Sequence, residues 1–325
     1  MEPLKINRIT RSEDGKTLCI GTTYGFCVYS IENETIKKRF HRTFRKGIGL
    51  VSVLNDTNLV AFVGEGSKPY ANANELIIWD DIKNEEIMRK SFEKPIKNIK
   101  FTQNYLFVSF QNELAIMDIN NKQWIQYETD NNPNGVFYYY PMTHDLFILS
   151  PKMGEVKNIQ LETETEPTSI KCHKHHIDHL TVNHNLTFMS TFSTDGAMIR
   201  VWMAKSGIKT REFERGTNIV GMINMSFDLY HEYLLSFCND YIISIFDLKT
   251  PAKAKSKWKS SGEPPVATMK VESNALVAFF IAKSKFCVID ANGNFQKYVV
   301  KEDQEMMKVK IEKEGDADSL FNYFI

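Results

Sequence analysis

The amino-acid sequence predicts an all-β fold of the seven-bladed, WD40-like β-propeller type. Three observations predict it: one repeat runs through the chain, its runs have strand chemistry, and no long stretch shows helical periodicity. The runs are 4–6 residues long, rich in β-branched and aromatic residues, and separated by Asn, Asp and Gly, which is typical of strands and turns. A blade of four strands takes roughly 40–45 residues, so seven of them account for most of this chain.

The repeat is a short apolar run, a turn, and a second run that ends on an apolar and then a polar residue. The apolar residues that close the second runs are Tyr29, Trp79, Met117, Ile159, Trp202, Phe246 and Ile289. Their successive spacings are 50, 38, 42, 43, 44 and 43 residues. Two separate β-sandwiches would not explain one period throughout, so we expect a single propeller domain over residues 1–300.

Each copy supplies two runs, and we expect each to become a pair of neighbouring strands within one blade. In chain order the pairs are 17–21 with 25–30, 59–63 with 75–80, 106–110 with 113–118, 146–149 with 155–160, 186–190 with 198–203, 233–237 with 242–247, and 276–280 with 285–290.

The last stretch, residues 301–325, departs from the pattern because Lys, Glu and Asp crowd it between 308 and 318. This composition predicts a solvated, charged C-terminal tail. Its final apolar residues, 320–325, could dock on the propeller or on a partner, and the propeller is the better candidate of the two.

The composition excludes several classes of function. The chain has 325 residues with 40 Lys and Arg against 40 Asp and Glu, so its formal charge is zero and a general polyanion binder is excluded. No apolar run approaches the ~18–20 residues of a membrane span, and the N-terminus does not read as a signal peptide. The five scattered cysteines form no CxxC pair, so no disulfide framework or Cys-rich zinc site is expected, and the compartment is expected to be the reducing cytosol. Cys19, Cys27 and Cys287 lie in apolar runs, which predicts buried free thiols.

No catalytic motif occurs, so we expect a binding platform rather than an enzyme, with no cofactor. One cluster, Cys172 to His179, offers six potential metal ligands in eight residues. In an extended chain, alternate residues face opposite sides, so these ligands would be divided between two faces. We therefore expect no metal site there, but a polar entry to blade five with one functional histidine.

Two stretches carry a family resemblance. The first includes Gly47-Ile-Gly49 and Ile77-Ile-Trp-Asp-Asp81; the second runs from Cys172-His-Lys through Ser193-Thr-Asp-Gly to Phe213-Glu-Arg-Gly216. Together they resemble the PROPPIN family, of the WIPI type, over essentially all seven blades. The resemblance implies a propeller that binds phosphatidylinositol 3-phosphate and 3,5-bisphosphate and acts in autophagy.

The family signature is Phe/Leu-Arg-Arg-Gly, whose two arginines serve neighbouring phosphate pockets in blades five and six. Here the first arginine is replaced by Glu214. A carboxylate there repels phosphate by on the order of 4 kcal/mol at ~4 Å before screening, and Glu214 could also pair with Arg200 and mask it. The resemblance implies these phosphoinositide-binding residues: His173, Thr191, Ser193, Arg200, Arg215 and Thr217.

The blade-six pocket departs further from the family, because Cys238, Ile242 and Ser244 stand where hydroxyl and imidazole donors are expected. Arg215 has two interpretations: a phosphate contact, which we favour, or a structural salt bridge between blades. We expect weak lipid binding through no more than one effective pocket.

A lysine-rich segment follows the second run of the sixth copy, residues 242–247, in blade six. In the family, a membrane-inserting loop occupies this place. Lysines beside an interfacial aromatic residue suit an anionic membrane surface. The predicted membrane contacts are Lys253, Lys255, Lys257, Trp258 and Lys259. The alternative, weighted equally, is a solvated turn with Trp258 packed on the blade.

Blade two carries an insertion, Gly64 to Asn74, that accounts for the 50-residue spacing. We expect it to project and, with the carboxylates that follow Trp79, to capture a partner, which the resemblance identifies as the autophagy lipid-transfer protein. The predicted partner-binding residues are Lys68, Tyr70, Asp80 and Asp81. Alternatively, Lys68 and Tyr70 only cover the blade edge.

The leading function is a phosphoinositide-linked scaffold that recruits autophagy or endolysosomal trafficking factors to membranes, without nucleic acid. It would be cytoplasmic and peripheral on phagophore or endolysosomal membranes. The first alternative is a divergent propeller that has lost lipid binding and serves only as a protein scaffold. The second is a WD-type propeller of an unrelated complex.

Overall fold

The structure is a computed structural model, and it describes residues 3–12, 14–216, 219–251, 262–303 and 308–321. Every regular element in these residues is a β-strand. The 28 strands form seven four-stranded antiparallel sheets, so the predicted seven-bladed β-propeller fold is confirmed. The chain divides into two compact units, Met1–Val136 and Phe137–Ile325.

The first unit contains blades one to three. Blade one consists of β1 (Ile6–Arg11), β2 (Thr17–Thr22), β3 (Gly25–Glu32) and β4 (Thr35–Thr43). Blade two consists of β5 (Ile48–Val53), β6 (Leu59–Gly64), β7 (Glu75–Asp80) and β8 (Glu85–Ser91). Blade three consists of β9 (Asn98–Phe101), β10 (Tyr105–Ser109), β11 (Glu113–Asp118) and β12 (Trp124–Glu128).

The second unit contains blades four to seven. Blade four has β13 (Phe137–Tyr140), β14 (Asp145–Leu149), β15 (Glu155–Gln160) and β16 (Thr168–Lys171); blade five has β17 (Ile177–Val182), β18 (Phe188–Ser193), β19 (Met198–Met203) and β20 (Lys209–Glu214). Blade six has β21 (Met222–Phe227), β22 (Tyr233–Cys238), β23 (Ile242–Asp247) and β24 (Ala267–Lys270); blade seven has β25 (Ala275–Ala282), β26 (Lys285–Asp290), β27 (Asn294–Asp303) and β28 (Lys308–Ser319).

The first six sequence copies are the second and third strands of their blades. These strands are apolar on both faces, as in the fully buried β2 and β22. In the second unit, one face of β22 packs against blade five and the other against blade seven. Fourth strands such as β8 consist mostly of exposed residues, because they form the outer edge of a sheet.

The seventh copy is shifted by one strand. Its two runs are β25 and β26, the first and second strands of blade seven. The stretch between β23 and β24 makes blade six longer in sequence. A spacing of 43 residues from the third strand of blade six therefore reaches the second strand of blade seven instead of the third. Blade seven is completed by β28, which pairs with β27 along its length. The segment expected to be a solvated tail thus supplies a strand, and the expected boundary at residue 300 falls inside β27.

Side chains of the first strands join neighbouring blades within each unit. Asn7 donates to the carbonyl of Ile48 at 2.8 Å in the first unit. In the second unit, Asn224 donates to the carbonyl of Ala278 at 2.6 Å and accepts from its amide at 3.2 Å. These bonds satisfy strand edges that would otherwise be buried without partners.

All five cysteines are free and buried, which includes Cys19, Cys27 and Cys287, for which the sequence predicted it. Burial raises the pKa of Cys19 and of Cys172 to about 12, so their thiols are neutral at pH 7.

Candidate functional site

The candidate site lies on blade five, where three neighbouring strands place three side chains in one row. Thr191 of β18 is opposite Arg200 of β19, and Arg200 is opposite Glu212 of β20. Directly opposite residues share a face of the sheet and are close enough to interact. The row continues to His173, which precedes β17.

His173 is the buried centre of this row, with 3% of its surface exposed. Its Nε2 is 2.9 Å from Oγ1 of Thr191, and its Nδ1 is 3.2 Å from Nη1 of Arg200. Because a guanidinium only donates, Nδ1 must accept and Nε2 must carry the proton. Burial and then the charge of Arg200 lower the pKa of His173 to about 4, consistent with this neutral tautomer.

Thr191 is fixed from a second side by Trp202, whose indole Nε1 donates to Oγ1 at 3.0 Å. Ser193, at the end of β18, donates to Oδ1 of Asp195 at 2.6 Å. The structure therefore brings His173, Thr191 and Arg200 into direct contact and directs the Ser193 hydroxyl to the following turn.

Arg200 is already paired with a carboxylate of its own blade. Its Nε donates to Oε1 of Glu212 at 2.8 Å, and its Nη1 donates to the carbonyl of Cys172 at 2.7 Å. Lys209 also reaches Glu212, at 3.2 Å. The sequence pointed to Glu214 as the residue that could mask Arg200, but Glu212 does so, because Glu214 is opposite Met198.

Arg215 forms a salt bridge between blades five and six. Its Nη2 contacts Oδ2 of Asp240 in the turn between β22 and β23, and only 5% of the Arg215 side chain is exposed. This is the structural alternative weighed for Arg215 from the sequence. Thr217, the next residue of the expected set, lies outside the described residues.

The equivalent row of blade six has no charge. Ser236 of β22 is opposite Ser244 of β23, which is opposite Thr268 of β24. Cys238 is buried, and burial raises its pKa to about 11 although the charge of Arg215 opposes the rise. The row offers hydroxyl groups but no cation to a phosphate.

The predicted membrane contacts, Lys253 to Lys259, lie outside the described residues, but the chain on either side is held by Arg211 of β20. This arginine, 8% exposed in its side chain, donates to both carboxylate oxygens of Glu263 at 3.2 Å. It also donates to the carbonyls of Leu248, at 3.2 Å, and Thr250. Glu263 further exchanges two backbone hydrogen bonds of 2.8 Å with Glu212 and Glu214.

The blade-two insertion lies closely against its own blade. Gly47 donates to the carbonyl of Lys68 at 2.8 Å and accepts from the amides of Glu65, at 3.2 Å, and Tyr70, at 2.9 Å. A Cβ at Gly47 would lie 2.0 Å from the Glu65 carbonyl, and one at Gly49 equally close to the Glu65 side chain, which accounts for the Gly-Ile-Gly block.

Of the predicted partner-binding residues, Lys68 is exposed and the others have intramolecular contacts. Tyr70 packs against Phe44 at 4.8 Å between ring centroids and donates to Glu86 at 2.7 Å. Asp80 accepts from the amides of Ile82 and Lys83, both at 3.0 Å. Asp81 pairs with Arg42. Partner binding by these four residues, Lys68, Tyr70, Asp80 and Asp81, stays a prediction.

In the part of the chain that the structure describes, no three His, Cys, Asp or Glu residues are grouped as a metal site would require. Likewise, none of the described residues forms a helix long and apolar enough to cross a membrane.

The fold and this charged row define the class of protein, a seven-bladed β-propeller with a candidate anion site on blade five. No family model matches the chain. It is 25% identical over 280 residues to SVP1-like protein 2 of Schizosaccharomyces pombe, covering 81% of this chain and 76% of that protein. It is 22% identical over 308 residues to Autophagy-related protein 18 of Yarrowia lipolytica, covering 86% and 76%. The chain spans 63% of the Saccharomyces cerevisiae SVP1-like protein 2.

Solved structures share the fold of this chain. Hsv2 of Kluyveromyces marxianus superposes with a TM-score of 0.81 at 20% identity, covering 98% of this chain and 99% of that one. Atg21 of Kluyveromyces lactis, in complex with the coiled coil of Atg16, gives a TM-score of 0.73 at 16% identity, covering 97% and 99%. The chain is thus similar in sequence to SVP1-like protein 2 and to Autophagy-related protein 18, and it shares the propeller fold of Hsv2 and Atg21.

Proposed function

We propose that this protein is a PROPPIN-type scaffold that recruits autophagy or endolysosomal trafficking factors and reads 3-phosphorylated phosphoinositides only weakly. One observation carries the proposal: both arginines available for phosphate are engaged by carboxylates of the chain. Arg200 pairs with Glu212, and Arg215 pairs with Asp240. A headgroup must compete with these intramolecular anions, so part of its binding energy is offset.

Weak recognition is compatible with recruitment when a second contact contributes. The lysine-rich segment, Lys253 to Lys259, supplies it in this proposal, since each lysine near an anionic surface contributes about 1 kcal/mol. Such a contact depends on salt because screening shortens the Debye length from ~10 Å at 0.1 M to ~3 Å at 1 M. The protein would then be cytoplasmic and bind phagophore or endolysosomal membranes peripherally.

A structural relative suggests that the recruited factors are proteins of the autophagy machinery. The structure of Atg21 with the Atg16 coiled coil shows a propeller of this kind with a helical protein partner. For this chain we propose an autophagy lipid-transfer protein, bound at Lys68, Tyr70, Asp80 and Asp81 beside the blade-two insertion.

Flotation with vesicles that contain phosphatidylinositol 3-phosphate tests the lipid assignment. We expect weak flotation of the wild type and at least tenfold stronger binding of Glu214→Arg, because the substitution replaces repulsion by attraction at the first arginine position of the family signature. Glu164→Arg is the matched control, since it makes the same charge change at an exposed position of blade four. Equal binding of wild type and Glu214→Arg would refute the proposed role of Glu214.

A second candidate function is a protein scaffold without lipid binding. The buried Arg215–Asp240 bridge favours it, because Arg215 is then structural. The variant Asp240→Asn distinguishes the lipid-binding scaffold from the protein-only scaffold. Its amide oxygen can still accept from the backbone amide of Ile242, but the negative charge that pairs with Arg215 is removed. If neither Asp240→Asn nor Glu214→Arg floats with phosphoinositide vesicles, the protein-only scaffold is the correct function.

A further inference from the structure

The outer strand of blade one has an unusual charge. Residues 37–46 contain six Lys or Arg and no Asp or Glu, in a chain whose formal charge is zero. Four of the six lie on β4, the fourth strand of the sheet, and two follow it. Lys37, Arg45 and Lys46 are exposed.

Lysines on an edge strand are an ordinary protection against unwanted pairing, so the comparison with other outer strands matters. The outer strands β8, β20 and β28 mix acidic and basic residues, and β12, β16 and β24 carry one charged residue each. Among the described outer strands, β4 alone combines several cations with no acid. Protection of an edge does not require a charge of one sign.

Intramolecular partners neutralise part of this charge. Arg42 pairs with Asp81, and Arg39 is 3.4 Å from Asp56, whose side chain is 99% exposed. An exposed pair of this kind is weak and easily exchanged. No ion pair involves Lys37 or Arg45 within the described residues, and the Nζ of Lys46 lies 5.5 Å from the ring centroid of Tyr70.

β4 also contains His41, whose surroundings lower its pKa. Burial and then the charges of Lys38 and Arg42 lower its pKa, with Asp81 opposing them. His41 is therefore neutral at pH 7 and adds no charge to the strand there.

The apolar residues of this region face inward. Phe40 packs against Phe26 at 6.3 Å, and Phe44 packs against Trp79 at 5.0 Å between ring centroids. None of the exposed large apolar side chains of the described residues lies between 35 and 47. The surface thus presents cations without an apolar group to insert into a bilayer, and it presents no exposed aromatic ring on which a base could stack.

The geometry favours an extended ligand. In the described structure, β4 is paired on one side only, with β3. Its nine residues span roughly 30 Å at about 3.4 Å per residue. A peptide that adds to such an edge gains main-chain hydrogen bonds, and its side chains supply the specificity.

We propose that β4 binds an extended acidic peptide of a partner protein, which adds to the open edge of blade one and places its carboxylates against Lys37, Arg45 and Lys46. The site does not depend on phosphoinositide binding, because it uses none of the blade-five or blade-six residues. It adjoins the predicted contacts at Lys68, Tyr70, Asp80 and Asp81, because Lys46 lies against Tyr70 and Arg42 pairs with Asp81, but it uses other residues.

Fluorescence anisotropy with the full chain and a labelled twelve-residue peptide, in which Glu alternates with Val or Thr, tests the proposal. We expect the wild type to bind and the triple variant Lys37→Glu/Arg45→Glu/Lys46→Glu to bind at least tenfold more weakly. The matched control is Lys122→Glu/Lys152→Glu/Lys270→Glu, which makes a similar charge change at exposed lysines elsewhere and should bind as the wild type does. Circular dichroism verifies that each variant is folded.

A second peptide, N-methylated at alternate residues, separates strand addition from simple charge attraction. We expect it to lose binding, because methylation removes the donors that would pair with β4. The proposal is overturned if no peptide binds the wild type, if the triple variant and the control bind equally, or if the methylated peptide binds as well as the parent. It is also overturned if the triple variant loses only flotation on phosphatidylserine vesicles, since the occupant would then be a membrane.

Discussion

Blades five and six share a backbone pattern and differ in what it carries. In both, a residue of the second strand is opposite one on the third strand, which is opposite one on the fourth. Blade five places Thr191, Arg200 and Glu212 at these positions, and blade six places Ser236, Ser244 and Thr268 there. The repeat therefore sets where side chains meet, and it leaves open whether they form a charged network or a neutral row.

The largest difference between the rows concerns stability. Arg200→Ala leaves the largely buried carboxylate of Glu212 without its main partner, and we expect the free energy of unfolding to fall by about 2–4 kcal/mol. Ser244→Ala, the corresponding change in blade six, should cost less than about 1 kcal/mol. Urea unfolding measures both. Equal losses would mean that the ion pair of blade five contributes no more than a hydroxyl group does.

A smaller difference should follow pH. His173 is neutral in the folded chain with a pKa of about 4, whereas an unfolded histidine titrates near 6.5. A depressed folded pKa means that the unfolded chain binds the proton first, so stability is complete above about pH 6.5 and falls toward pH 4. At about 1.4 kcal/mol for each pKa unit, we expect a loss of about 3 kcal/mol over this range. His173→Gln should flatten the decline, and His175→Gln, at an exposed position, should not.

The smallest effect tests whether the blade-five pair can be transferred. Ser244→Arg alone introduces a cation into blade six and should destabilise the protein. Adding Thr268→Glu supplies the opposite residue, and we expect the pair to recover about 1 kcal/mol relative to the sum of the single changes. Thermal unfolding of the four variants in the cycle measures the coupling. Strict additivity would show that opposite positions alone do not create the interaction.

The sequence predicted the architecture well because the repeat is a property of local runs and their spacing. Six copies fell on the second and third strands of their blades. The seventh did not, because a 43-residue spacing cannot distinguish one strand of a blade from the next when an insertion precedes it. The charged composition of residues 308–319 likewise gave no indication of a strand, because an outer strand that is mostly exposed to solvent need not be apolar.

The site was harder to predict than the fold. His173, Thr191 and Arg200 were expected together, and they are in contact. Glu212 and Asp240, which neutralise the two arginines, were missed because their roles depend on cross-strand register and on a turn of the next blade. The exact register of β19 against β20 would have identified Glu212, as it lies directly opposite Arg200.

The clamp formed by Arg211 has a consequence for how this chain can change length. One guanidinium holds Thr250 on one side and Glu263 on the other, so the ends of the intervening stretch are fixed independently of the residues between them. The entropy cost of closing a flexible loop grows only logarithmically, by about 0.6 kcal/mol for each doubling of its length. A difference in the number of residues between these two anchors should therefore leave the anchors themselves, and the way β23 and β24 are joined to β20, unchanged.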